Sequence, residues 1–326
     1  MYTAIDKLEL ELSSSCNAWC PVCPRNLQFG TGIYQNPHAD LNNHMTVEDI
    51  DNILSVETTP RVSIDCIGTV GDPLANKNIV DLVARIVELK PQARLQLHTN
   101  GSLRTPEVFR QLAELMPYGK QRRIVFSIDG DEETNHLYRI GVQWERVMEN
   151  ARAFCDAGGF AEWKYILFHH NFESVATAKR LAREIGFANF RFSKNQSPHE
   201  MVDKHVAIPP TLHTHAPEEY DDDEDYSNPP QGEIEPECIN DQYVHIRADG
   251  EVYPCCMTAA NMYDVSSFVR QDTTAFIQPG WNNIRTRKFT DILADSNWQR
   301  IQSSFSSCWT CKNCCSEDNE KLNKNQ

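Results

Sequence analysis

Residues 16–23 read Cys-Asn-Ala-Trp-Cys-Pro-Val-Cys, three thiols within eight positions. Thiolates are soft ligands that select zinc, copper(I) or iron–sulfur clusters. A structural zinc site takes four ligands, so Cys16, Cys20 and Cys23 are one short of a closed site. Residue type alone leaves two readings. One is half of a zinc site, completed by His38 or His44. The other is an iron–sulfur group held by three thiolates, with one position open to an external ligand. A second set of cysteines follows later in the chain: Cys238, Cys255 and Cys256, then Cys308, Cys311, Cys314 and Cys315. Cys66 and Cys155 stand alone in apolar surroundings and read as inert core residues.

The bulk composition narrows the setting. The chain has 326 residues, enough for one large domain or two ordinary ones. Its formal charge of −15 makes nucleic acid and anionic membranes poor partners. The opening MYTAIDKLELEL has neither the basic nor the apolar region of a secretion signal. The longest apolar-rich stretch, residues 79–89, is broken by Asp81, Arg85 and Glu88, and a membrane span needs about 20 apolar residues. A cytoplasmic location is the expectation, and there clustered thiols are metal ligands or catalytic groups rather than disulfides.

The elements that must position these thiols alternate in kind. KLELELS (7–13) has the period of a strand, and a long polar loop follows it, covering 24–45. The MTVED sequence starts a helix at Thr46 with an acid at its third position. Strands are predicted at 61–68, 93–100, 122–130, 162–170 and 188–194. Helices are predicted at 78–90, 106–116, 132–157 with a break near Gly141, and 174–186. Six βα-type repeats predict an α/β fold whose parallel sheet curls into a partial (β/α)6 TIM-like barrel. In such folds the working loops follow the C-terminal ends of the strands. SSSCNAWC, GTVGDP, HTNG and SIDG fall at those places in order. The loop at 24–45 leaves the same rim and is expected to lid it. Residues 199–237 hold five consecutive acids and several prolines, and read as a solvated linker in which His213 and His215 face solvent. DQYVHIRADGEVYPCC (241–256) reads as a β-hairpin turning at Asp249-Gly250, and the stretch before SCWTCKNCC is helical.

With these motifs in view, residues 16–23 resemble the signature loop of the radical S-adenosylmethionine (SAM) enzymes. That family usually has an aromatic residue before the third cysteine; here Val22 stands there and the aromatic is Trp19. The resemblance runs over about residues 5–195 and implies that Cys16, Cys20 and Cys23 hold a catalytic [4Fe–4S] cluster. It implies that Gly71, Asp72 and Pro73 belong to the segment whose backbone receives the SAM amino group. Asn100 would lie in the turn after the third strand, with Ser127 and Asp129 after the fourth. Arg139 would pair with the SAM carboxylate, a match for a planar fork of donors. The activity implied is reductive cleavage of SAM to a 5′-deoxyadenosyl radical, which abstracts hydrogen from a peptide or small molecule. Flavodoxin or ferredoxin would be the reductant.

The spacing of Cys238, Gly250 and Cys255 resembles the opening of the SPASM and twitch extensions, which hold auxiliary [4Fe–4S] clusters. Too few cysteines follow for two clusters, so one is expected. Cys238 and Cys255 would supply two ligands and the run Cys308, Cys311, Cys314, Cys315 two more, the pair being open. A structural zinc knuckle is the competing reading of this segment. The expected division is a core at 1–198, a linker at 199–237 and a β-hairpin-plus-helix cluster domain at 238–326. Two further functions stay open: a structural zinc-binding α/β protein, and an iron–sulfur electron carrier without SAM chemistry.

Overall fold

The computed structural model describes residues 4–29, 32–117, 119–193, 211–213, 234, 236–264 and 267–315. Most of the acidic linker, including His215, lies outside the described residues. The strands in chain order are β1 (Ile5–Leu10), β2 (Asn26–Phe29), β3 (Gly32–Gln35), β4 (Thr58–Cys66), β5 (Arg94–Thr99), β6 (Arg122–Ser127), β7 (Ala161–Tyr165), β8 (Asn189–Phe192), β9 (Thr211–His213), β10 (Tyr243–Ile246) and β11 (Val252–Tyr253). Eight of them form one sheet in the order β11-β10-β1-β4-β5-β6-β7-β8. Every pairing in it is parallel except β10 with β11. Helices Val47–Ile53, Ile79–Leu89, Pro106–Leu115, Trp144–Asp156 and Val175–Ile185 fill the crossovers.

Strand alternation sorts the side chains into two faces. Leu8, Leu10, Ile64, Leu95, Leu97, Ile124, Phe126 and Trp163 are buried in the main core with Ile50, Leu82, Phe109, Phe154 and Ala178 from the helices. Most of the intervening residues are polar, and several meet each other. Arg123 donates to Gln96 Oε1, Arg191 pairs with Glu162, and Tyr243 donates to Glu9 Oε2 at 2.7 Å. The sheet therefore has an apolar side under helices and a polar concave side.

The expected capping of the first helix is present: Asp49 N donates to Thr46 Oγ1 and Thr46 N to Asp49 Oδ2. Two segments differ from the sequence expectation. Residues 24–45 are not a plain loop, because β2 and β3 pair antiparallel and β3 pairs in turn with β9. The strand expected at 162–170 ends at Tyr165. Asn171 stops it by accepting from Phe168 N and donating to Ile166 O and Asp129 O. The helical stretch expected over 132–157 breaks near Gly141, as expected, into a short Asn135–Tyr138 turn and Trp144–Asp156.

The C-terminal hairpin extends the main sheet: β10 lies parallel to β1, with Lys7 opposite Tyr243 and Leu10 opposite Ile246. Ile284, Phe289, Ile292 and Trp298 join the core of the barrel. Asn52 fastens this arm by donating to the Ile284 and Arg287 carbonyls and accepting from Phe289 N. Asn52→Ala strips partners from three half-buried backbone groups, and each lost partner carries a penalty of about 1–3 kcal/mol. The expected result is a lower urea midpoint, with residues 284–293 becoming sensitive to limited proteolysis before the barrel does.

Candidate functional site

The cysteine loop leaves β1 and is fixed on every side by short polar contacts. The three serines before Cys16 do this work. Ser13 Oγ accepts from Ser15 N, Ser14 exchanges hydrogen bonds with the Asn43 backbone, and Ser15 Oγ donates to Leu41 O at 2.6 Å. Trp19 N donates to Ile140 O at 2.8 Å. Asn100 Nδ2 donates to Asn17 Oδ1 and to Cys16 Sγ, at 2.9 and 3.6 Å. The last contact joins the turn after β5 to the first thiol.

The turn after β4 lies directly against this loop. Asp72 N donates to Ser15 O at 2.8 Å. A Cβ on Gly71 would sit 1.9 Å from the Ser13 carbonyl oxygen, and one on Gly68 would sit 2.0 Å from the Gly71 carbonyl oxygen. Only glycine permits either approach. The Asp72 carboxylate is fully engaged by protein donors: Leu74 N, the Thr99 hydroxyl and Asn100 N, each at 2.9 Å. Burial pushes its carboxyl up, and those donors oppose the shift. Pro73 opens a single helical turn behind it and is buried.

Cys16, Cys20 and Cys23 line one cavity of about 220 Å³. Gly71, Asp72, Asn100, Ser127 and Arg139 line it too. The motifs after four different strands thus meet at one place, as their order along the chain implied. Asp129 lies behind the wall rather than in it. Its carboxylate is inaccessible, accepts from Arg139 Nε at 2.6 Å and from Ile166 N at 2.6 Å, and so holds the guanidinium in position. Arg139 Nη1 reaches Cys20 Sγ at 3.6 Å. A larger cavity, about 280 Å³, opens at the opposite ends of β4–β6 among Ser63, Arg94 and Lys120 and contains no thiol, so size alone does not locate the site.

Burial makes the three thiols weak acids. Cys16 is pushed up to about 12 by burial and then by Asp72, Cys23 to about 11 by burial and then by Cys20. Burial raises Cys20 as well, against the pull of Arg139. Anionic sulfur in this cavity needs a cation, and Arg25 and Arg139 are the fixed ones beside it. The sequence reading missed Arg25, Asn17, His98 and Lys164, all of which meet or border this cavity. Their only sequence signal was position: an inward register on a strand, or a place inside the cysteine loop.

The later cysteines also gather. Cys238, Cys308 and Cys311 are buried in a second apolar cluster, with Cys255 packed against it. Burial raises Cys238, and Cys255 and Cys315 add to the effect. Cys308 and Cys311 share a hydrogen bond that favours the thiolate on Cys308 and the thiol on Cys311. Cys314 is exposed. Cys256 turns the other way, its N–H on Tyr243 Oη and its thiol near Glu9. Among the described residues no group of His, Cys, Asp and Glu is preformed around a single metal ion. His38 and His44 are not among the described residues that line the cavity. Cys66 is in the core, as expected, and Cys155 is half-buried.

Removing one partner of a buried ion pair costs about 3–5 kcal/mol, because the other charge is left uncompensated. Asp129→Asn should therefore lower stability by about that amount in chemical denaturation. The double variant with Arg139→Met should lose less than the single one.

With this geometry in hand, the relatives can be compared. Residues 10–185 match the model of the radical SAM superfamily, and residues 238–315 match that of an iron–sulfur cluster-binding domain, SPASM. A GTP 3′,8-cyclase of Geobacter sulfurreducens is 31% identical over 159 residues, 48% of this chain and 44% of that protein. A tungsten-containing aldehyde ferredoxin oxidoreductase cofactor-modifying protein of Pyrococcus furiosus is 27% identical over 108 residues, 33% of this chain and 27% of its own. The chain thus spans less than half the length of these relatives. Among solved structures, Streptococcus suis SuiB bound to its precursor peptide SuiA superposes with a TM-score of 0.56 at 16% identity, covering 96% of this chain and 72% of that one. The structure of anSMEcpe with bound AdoMet gives 0.54 at 15% identity, covering 95% and 89%. At these identities the superpositions speak for the shared fold. No helix among the described residues is long and apolar enough to cross a membrane.

Proposed function

The chain belongs to the radical SAM superfamily, and from that premise we propose that it cleaves SAM reductively and abstracts hydrogen from a peptide or small-molecule substrate. The observation that carries this reading is the meeting of three thiols from one loop with the glycine turn, Ser127 and Arg139 around one cavity. The donor set fits the group: three soft ligands for a four-iron cluster, with cationic residues beside them. The radical SAM domain implies a [4Fe–4S] cluster and SAM, and the second domain implies auxiliary iron–sulfur chemistry. When bound, the cluster supplies one electron to the sulfonium, and SAM supplies the 5′-deoxyadenosyl group that takes the hydrogen.

The chain's own residues would divide the remaining work. Cys16, Cys20 and Cys23 would hold the cluster. The Asn100 amide on Cys16 and the Arg139 guanidinium on Cys20 would temper their charge. The backbone of the Gly68–Gly71 turn would face the SAM amino group. Arg139, oriented by Asp129, would present its remaining donors to the SAM carboxylate. Asp72 would act by position, tying the turn to β5 through the Thr99 hydroxyl and the Asn100 N–H. Cys238 and Cys255, with two of Cys308, Cys311, Cys314 and Cys315, would hold one auxiliary cluster. Burial favours Cys308 and Cys311 for that pair. The names of the relatives and neighbours point both ways on substrate, toward a nucleotide and toward a peptide. A flavodoxin or ferredoxin would supply electrons.

Anaerobic reconstitution should give about eight irons and eight sulfides per chain, and reduction with SAM should release 5′-deoxyadenosine. Cys20→Ala should retain about four irons and release none. Bound zinc with no visible absorption would overturn the reading, and a redox-active protein that leaves SAM intact would reduce it to an electron carrier. For the auxiliary set, Cys311→Ser should lose about four irons while Cys314→Ser keeps them.

A further inference from the structure

The polar concave face of the sheet is unevenly balanced in charge where it meets the cavity. Lys164 on β7 and His98 on β5 point to this face and line the same cavity as the three cysteines. Two ion pairs flank Lys164: Arg191 with Glu162 and Arg139 with Asp129. Those pairs engage the nearby carboxylates. The Lys164 ammonium makes no hydrogen bond or ion pair with any described residue, although the residue is half-buried. His98 Nε2 is buried and has no hydrogen-bond partner.

The surrounding potential is positive. Burial, then Arg191 and Arg139, hold the Lys164 ammonium below its ordinary range, with Asp129 and Glu162 opposing. Burial, then Lys164, Arg191 and Arg123, push the His98 imidazole down to about 3, with only Glu9 opposing among its main influences. His98 is therefore neutral at ordinary pH and can present one N–H. A half-buried ammonium whose nearest carboxylates are already paired with arginines, beside a neutral imidazole, is costly unless a ligand meets both. SAM does not supply that match. It carries one carboxylate against two positive centres, its ammonium and its sulfonium, and Arg139 is already placed for that carboxylate.

We infer that the mouth of the barrel holds a receptor for an anionic oxygen group of the substrate, carboxylate or phosphate, in which Lys164 supplies the charge and the His98 imidazole a hydrogen bond. This deepens the function proposed above and rests on it for the identity of the cavity. The substrate class it selects is an acid or a phosphate ester, with the group to be attacked held between this receptor and the cysteine loop.

The test uses the anaerobically reconstituted full-length protein, with inorganic phosphate and acetate as probes and acetamide as the neutral control. Dissociation constants are measured by titration calorimetry, with and without SAM. At least one anion should bind while SAM is bound, and acetamide should not. Lys164→Gln should weaken that anion by at least about tenfold, as expected for a charge-assisted contact. Lys164→Arg should stay within about threefold of the parent, since it keeps the charge. His98→Phe provides a second, uncharged deletion and should also weaken the anion. A preference for phosphate over acetate identifies a phosphorylated substrate, and the reverse a carboxylate. The inference is overturned if neither anion binds at tens of millimolar, or if Lys164→Gln binds as the parent does. It is also overturned if that variant weakens SAM as much as the anion, since Lys164 would then serve the cosubstrate. Because binding is read without turnover, a protein that holds phosphate at Lys164 yet never yields 5′-deoxyadenosine would defeat the proposed chemistry and leave this receptor standing.

Discussion

The cysteine loop and the turn after β4 lie backbone against backbone, with no room between them for a single methyl group at Gly71. This contact fixes the rest. The Asp72 N–H bonds the Ser15 carbonyl, and the Asp72 carboxylate reaches on to β5, so the loops after three neighbouring strands are tied together. Those loops carry the first thiol, the glycine turn and Asn100. A shift in the turn would therefore be felt at Cys16 through Ser13–Ser15 and again through Asn100. Rigid support of this kind is what a site with three ligands on a single loop requires, because the loop has no regular secondary structure of its own to hold it.

A second constraint is the polar concave face. Placing Glu9, Asp65, His98, Glu162, Lys164 and Arg191 on one side of a sheet is unfavourable unless the charges answer one another. Most do. Tyr243 donates to Glu9 from the C-terminal hairpin and His245 lies beside it, so the extension helps to satisfy a buried carboxylate of the barrel it joins. The extension is thus bound to the core by sheet hydrogen bonds, by the Asn52 staple and by buried polar contacts. Cys238, Cys308 and Cys311 sit in a separate apolar cluster with Tyr243, Tyr253 and Phe305. The hairpin serves two ends at once, with Tyr243 bonded to Glu9 on one side and to the Cys256 N–H on the other.

Much of this was legible in the sequence, for local reasons. The alternation of KLELELS, the capping signal at Thr46 and the order of the four rim motifs depend on residues near one another in the chain. Those elements appear where expected. What was hidden depends on distant partners. Nothing local marks Tyr243 as a neighbour of Lys7, or Asn52 as the anchor of residues 284–289. The roles of Ser14 and Ser15 were hidden for the same reason, since their partners are Asn43 and Leu41. The hairpin of β2 and β3 was taken for a loop because its strands are only four residues each and polar in part. His98 and Lys164 follow from strand register once the strands are known, but only the folded sheet brings them to one cavity.

The central claim is that the three thiolates leave one iron free for SAM. Electron–nuclear double resonance on the reduced protein, with SAM labelled in its amino nitrogen and carboxylate oxygens, tests it most directly. Coupling of both labels to the cluster of the cysteine loop, lost in Cys20→Ala, is the result this account predicts. A reduced cluster whose spectrum ignores SAM, or one that couples instead to a fourth protein side chain, would contradict it.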